Sequence, residues 1–199
     1  MSALEVIQRT TERYRSVGDV VQSDGTLCVV NLKEYGPKAF LHEFYPGLGD
    51  RELRKASKEI GNRIPDELRS FYLKMNGFRC YYGAINLFGY VENEANSELK
   101  FRPYSLIRAN ESSRKPRNTI DDYLFIGSYG IDASLVYINT IDGKVYRTPR
   151  NGIVPLNSWS GFEDWIATEI PRLNQYYTAD GACAMPRDAQ LPGSTSDVV

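Results

Sequence analysis

The segment that most constrains the fold opens at Ile64-Pro65-Asp66-Glu67-Leu68. Proline is tolerated in the first turn of a helix, where its missing N–H loses no partner. The acidic pair Asp66-Glu67 suits the positive end of the helix dipole. Leu68, Phe71, Tyr72 and Met75 follow at the spacing of one helical face. Asn76-Gly77 reads as the stop, because glycine enters the left-handed region at little cost. A second helix is predicted just upstream over 51–60, capped by Asp50, with Leu53, Ala56 and Ile60 on one face and Gly61 at its end.

Beyond this pair the period changes. Residues 84–90 and 123–127 are short apolar runs between turn residues. Residues 134–141 and 144–148 flank Asp142-Gly143, a strong hairpin signal. Residues 153–156 suggest a further short strand, placed at an edge by Pro155. Ser160-Gly161-Phe162-Glu163 reads as a capping box opening a helix that buries Phe162, Trp165 and Ile166, with Pro171 ending or kinking it. Toward the N-terminus, Ser2 and Glu5 form another capping box for a helix over 2–16, and residues 26–32 read as a strand. Residues 35–49 are aromatic, with Gly36-Pro37 and Pro46-Gly47 as turn signals. Helices, then a run of strands, then a helix predict an α+β fold with a mostly antiparallel sheet. The expected organisation is an N-terminal helix and strand in 1–49, either an arm or part of the same domain, a main domain over 50–177, and a disordered tail over 178–199 rich in small and polar residues.

Little in the chain points to catalysis. His42 is the single histidine, and in Phe40-Leu41-His42-Glu43-Phe44 it reads as structural. Gly47-Leu48-Gly49 precedes a helix, but Glu52 stands where a dinucleotide fingerprint needs glycine, so a tight turn is expected rather than a phosphate loop. Cys28, Cys80 and Cys183 are odd in number, without metal-ligand spacing. No metal and no cofactor are expected. With 24 basic and 25 acidic residues, the balance argues against a general polyanion binder. The absence of a long apolar run and of a basic-apolar leader points to the cytoplasm.

Two clusters suggest a binding surface. Tyr81, Tyr82, Tyr90, Tyr104, Tyr129, Tyr137 and Tyr146 crowd the strand region, where they either pack across strands or face a partner. Glu92, Glu94 and Glu98 follow one predicted strand, and Asp121, Asp122 and Asp132 bracket another. On one face they would form a negative patch that speeds docking of a basic partner. Residues 110–118, with Arg114, Lys115 and Arg117, read as a solvated loop.

The ordered set Glu59-Ile60-Gly61, Ile64-Pro65 through Phe71-Tyr72, and Asn76-Gly77 resembles the SUKH superfamily of the Smi/Knr type. Phe125-Ile126-Gly127, Val136-Tyr137-Ile138, Asp142-Gly143-Lys144-Val145 and Trp159 through Ile166 resemble its later strands, hairpin and closing helix. The likeness spans about residues 50–170, with departures at Phe78 and Asn139. It implies an α+β fold with a curved, mostly antiparallel sheet flanked by helices. It also implies a non-enzymatic immunity protein that binds and occludes a polymorphic protein toxin such as a nuclease or deaminase domain, without direct contact to nucleic acid or membrane. The alternative it carries is a regulatory scaffold with no toxin. On this reading Glu92, Glu94, Glu98, Asp121, Asp122, Tyr129 and Asp132 would meet the partner.

Overall fold

Among the described residues, nine strands follow one another across one sheet in the order in which they occur along the chain. The computed structural model of the protein describes residues 1–61, 64–92 and 101–193. The strands are β1 (Asp19–Val21), β2 (Leu27–Asn31), β3 (Phe40–Pro46), β4 (Met75–Cys80), β5 (Ile85–Leu87), β6 (Tyr123–Tyr129), β7 (Leu135–Asn139), β8 (Val145–Thr148) and β9 (Asn157–Trp159). Every neighbouring pair is antiparallel, and β1 and β9 remain as open edges. The helices are α1 (Ala3–Arg15), α2 (Asp50–Glu59), α3 (Asp66–Tyr72), α4 (Leu106–Ala109) and α5 (Phe162–Asn174). The mixed α+β architecture, with helices flanking an antiparallel sheet, matches the sequence reading.

One face of the sheet is covered by α1, α3 and α5. The row Phe44, Phe78, Leu87, Gly127 and Val136 runs across β3 to β7 on this side. Phe71 of α3 meets Phe78 edge-on at 6.5 Å. Trp165 of α5 lies over Gly127, where a Cβ would come within 3.0 Å of its ring and 2.5 Å of the Asn86 carbonyl oxygen. Tyr14 of α1 tilts against His42 of β3. The two ends of the chain meet here, because the Tyr14 hydroxyl donates to Asn174 Oδ1 at 2.9 Å and Arg13 donates to the Tyr177 carbonyl at 2.7 Å.

Several expectations need correction. Asn76-Gly77 does not end a helix. α3 stops at Tyr72, and Asn76 and Gly77 lie inside β4. Gly77 is left-handed at φ +84 because the β4 backbone passes against the carbonyls of Leu87 and Phe88, leaving no room for a Cβ. Met75 is therefore a strand residue. The aromatic stretch gives no strand pattern for β3, because six consecutive residues, Phe40 to Tyr45, are buried, which erases the two-residue alternation. The predicted strand at 153–156 is irregular, and the pairing falls on β9 instead; Pro155 has no N–H for a ladder. Ser160 pairs with Asp164 rather than Glu163, through both its N–H and its hydroxyl. Glu163 accepts from the Ala3 N–H at the start of α1. Pro171 neither ends nor breaks α5 at once, since three more helical residues follow to Asn174.

Residues 178–193 were expected to lack structure, and they fold back onto the body instead. Gly181 sits against Leu41 and Val30. Gln190 is buried, and its carbonyl accepts from Arg172 at 2.8 Å while its side chain accepts from the Tyr177 hydroxyl at 2.9 Å. A segment of small residues packs here because the body supplies arginine and tyrosine partners that no local pattern reveals. Residues 194–199 lie outside the described residues.

Candidate functional site

On the sheet face away from α1, α3 and α5 the register aligns Glu43, Arg79, Asn86, Ser128 and Leu135 in one row across β3 to β7. Period-two alternation puts these residues opposite the Phe44–Phe78–Leu87 row. This face forms the floor of a cleft of about 1270 Å³. Arg102, Arg108, Arg114, Lys115 and Arg117 wall it from the segment around α4. Arg150 stands in the β8–β9 turn and Arg187 in the C-terminal segment. With Arg79 on the floor, eight described lining residues are cationic and none is acidic. A near-neutral chain thus concentrates positive charge in one concavity, which composition alone concealed. Among the described residues no carboxylate pairs with Arg117, Arg150 or Arg187.

The floor is anchored by a buried carboxylate. Glu43 is 5% exposed and accepts from Arg79 Nη1 at 3.2 Å and from the Tyr45 hydroxyl at 2.8 Å. Arg79 Nε and Asn86 Oδ1 are buried and make no hydrogen bond. One donor and one acceptor therefore remain unspent at the floor, and leaving such groups unmet is costly. The β4–β5 connection beside them is strained. Tyr81, Tyr82 and Gly83 are all left-handed, at φ 55, 54 and 83, and the first two are not glycine. The turn holds Gly83 against the Arg79 guanidinium and lifts Tyr82 to the rim, 41% exposed and stacked on Tyr35 at 5.1 Å. Tyr104, 55% exposed, is the second tyrosine on the rim.

The wall around α4 is secured where β5 ends. Leu87 pairs with Gly127, and beyond it, among the described residues, β6 has no strand neighbour on that side. Asn110 replaces one: its Nδ2 donates to the Phe125 carbonyl at 2.8 Å and its Oδ1 accepts from the Phe125 N–H at 3.0 Å.

Among the described residues, the aspartates named from sequence do not converge. Asp121 and Asp122 precede β6 and Asp132 follows it, so a whole strand of roughly 3.3 Å per residue separates them. Asp132 accepts from Arg147 at 2.6 Å and from the Ser134 N–H at 2.9 Å. Burial alone would raise the Asp132 pKa, but the Ser134 and Arg147 partners more than offset it and hold the carboxyl below its ordinary value. Glu92 is exposed and bound to Lys55 at 2.7 Å, which lowers its pKa. Glu94 and Glu98 lie outside the described residues. Tyr129 cannot present a surface: it is fully buried under α5, donates to Glu169 at 2.8 Å and accepts from Trp165 Nε1 at 3.1 Å. The remaining tyrosines divide. Tyr123, Tyr137 and Tyr146 stack across strands at 4.3 and 5.3 Å, Tyr81 and Tyr90 are buried, and Tyr82 and Tyr104 reach the cleft. The useful signal was the Arg114-Lys115-Arg117 run, read as a solvated loop.

His42 is enclosed by Tyr14, Phe44 and Tyr81 at 5.2, 5.8 and 4.7 Å, and neither ring nitrogen has a hydrogen-bond partner. Burial pushes its pKa down to about 3, so it is a neutral ring of the core. The Gly47-Leu48-Gly49 amides are committed locally. Leu48 N–H donates to the Tyr72 carbonyl and Gly49 N–H to Glu52, each at a normal distance. Cys28 and Cys80 are buried, and burial pushes the Cys28 thiol up to about 12. Among the described residues no group of His, Cys, Asp and Glu could hold a metal ion, and no helix is long and apolar enough to cross a membrane.

The model of the SMI1 / KNR4 family (SUKH-1) matches residues 47–168, which is more than half of the chain. A comparison with curated proteins gives no match.

Proposed function

The chain belongs to the SMI1 / KNR4 family (SUKH-1), and from that premise we propose that it is a non-enzymatic immunity protein that binds a polypeptide toxin and neutralises it by occlusion inside the cell. The observation that carries the reading is the cleft: an open sheet face walled by loops, with tyrosines on its rim and no histidine or thiol within it. Stable protein interfaces favour tyrosine and arginine and bury roughly 1,600 Å² in all. A concavity with Tyr82, Tyr104 and many arginines has that composition. Catalysis finds little support beside it, since the single imidazole is sealed in the core.

The test is co-expression with the product of the adjacent gene. A stoichiometric complex on size exclusion, together with rescue of cells expressing that product, is expected. If neither appears with any neighbouring or candidate toxin, the reading fails.

A further inference from the structure

We infer, on the reading that the cleft binds a polypeptide, that the partner enters it with an acidic, extended segment of its chain. The sign follows from the walls. Arg117, Arg150 and Arg187 come from three separate segments, all are exposed, and they converge on a cleft whose described lining holds no carboxylate. Each would repel a basic partner, which is the partner the acidic loops had suggested. Complementary charge accelerates docking and makes it fall with salt.

The chemical class follows from the floor and the rim. On the floor Arg79 and Asn86 lie side by side in the β4–β5 register, a side chain that only donates next to one that both donates and accepts. A peptide unit supplies one N–H and one C=O together, whereas a phosphodiester supplies acceptors alone. Single-stranded nucleic acid also needs open aromatic faces for base stacking. Tyr82 already stacks on Tyr35, and Tyr104 is set edge-on to Phe88 at 6.2 Å. The strained Tyr81–Gly83 turn places Tyr82 and Arg79 at the same point of the groove, and such strain is maintained where a site needs it.

The experiment uses the full chain and fluorescence anisotropy with three labelled probes: a short peptide alternating glutamate and serine, its lysine–serine counterpart, and a single-stranded RNA of similar length. The acidic peptide should bind saturably at low salt and weaken steeply as salt rises, while the lysine peptide should not bind. The triple variant Arg117→Glu/Arg150→Glu/Arg187→Glu should weaken the acidic peptide by about tenfold or more. An equal charge change at Arg9, Arg54 and Lys58, exposed on α1 and α2 and absent from the cleft lining, should leave it within about threefold. Thermal melts of both variants establish that they fold; if the triple variant does not, Arg150→Glu alone replaces it. The inference is overturned by equal binding of both peptides, by tighter binding of RNA, or by equal loss in the two triple variants. A toxin complex that persists in the cleft variant would overturn the inference and leave the proposed function standing. Peptide binding that behaves as expected, with no toxin complex or rescue, would do the reverse.

Discussion

The Asn76 side chain takes both backbone hydrogen bonds of Tyr90, donating to its carbonyl at 2.8 Å and accepting from its N–H at 2.7 Å. β5 ends at Leu87, and this amide continues the β4 pairing where no strand remains. Asn110 does the same for Phe125 on the other side of β5. The cleft floor is thus kept short by two asparagines rather than by strand length.

Asn76→Ala leaves a buried N–H and a buried carbonyl of Tyr90 without partners. The expected loss is about 2–4 kcal/mol in urea unfolding. Asn110→Ala, at a part-buried site, should cost less, and its effect should appear also as faster amide exchange at Phe125.

Gly47 and Gly152 make a matched pair. A Cβ at Gly47 would come within 2.4 Å of the Leu73 carbonyl oxygen, a clash with backbone where the chain turns into α2, while one at Gly152 meets nothing. Gly47→Ala should destabilise by about 1–3 kcal/mol and Gly152→Ala by less than about 0.5 kcal/mol. Denaturation midpoints of the two variants provide the check.

His42 sets an acid limit. Its pKa falls from 6.5 to about 3 on burial, so between these values the unfolded chain binds a proton that the folded chain refuses. The contribution of this burial is complete above pH 6.5 and is lost as the pH falls toward 3. The slope is about 1.4 kcal/mol per pH unit. His42→Leu should remove that part of the slope in stability measured between neutral and acid pH, whatever it does to stability at neutral pH.

Arg147 is buried at 5% exposure with a partner at each of its three nitrogens, donating to Ser134 Oγ at 2.8 Å, Asn157 Oδ1 at 2.8 Å and Asp132 Oδ2 at 2.6 Å. Arg147→Ala removes these three hydrogen bonds and should cost about 2–4 kcal/mol in urea unfolding. The contrasting exposed pair Lys55–Glu92 should tolerate Lys55→Ala within about 1 kcal/mol.

Gln190 ties the C-terminal segment down through Arg172 and Tyr177. Truncation after Tyr177 removes both contacts and uncovers Leu41 and Val30. A lower melting temperature is expected, with increased protease cutting near α5.

Local periodicity made α1, α2, α3, the Asp142-Gly143 hairpin and α5 legible in the sequence. Asn-Gly at 76–77 misled because the same two residues that stop helices also let a strand pass close to a neighbour and pair through a side chain. Tyr129 misled because a strand tyrosine shows its ring but not which face carries a helix. The cleft was hidden for a further reason. Arg117, Arg150 and Arg187 are far apart in the chain, and net charge sums over all faces. The connections between strands and the fold-back of the C-terminal segment decide which arginines stand together.

Strictly sequential strand order has a bearing on synthesis. As the polypeptide leaves the ribosome, every new strand can pair with the one just before it, so the meander can grow from its N-terminal edge. Part of its apolar side stays bare, however, until α5 emerges to join α1 and α3. The nascent protein is therefore most in need of chaperone protection late in translation, when nearly all of its sheet has formed and the helix that covers it has not.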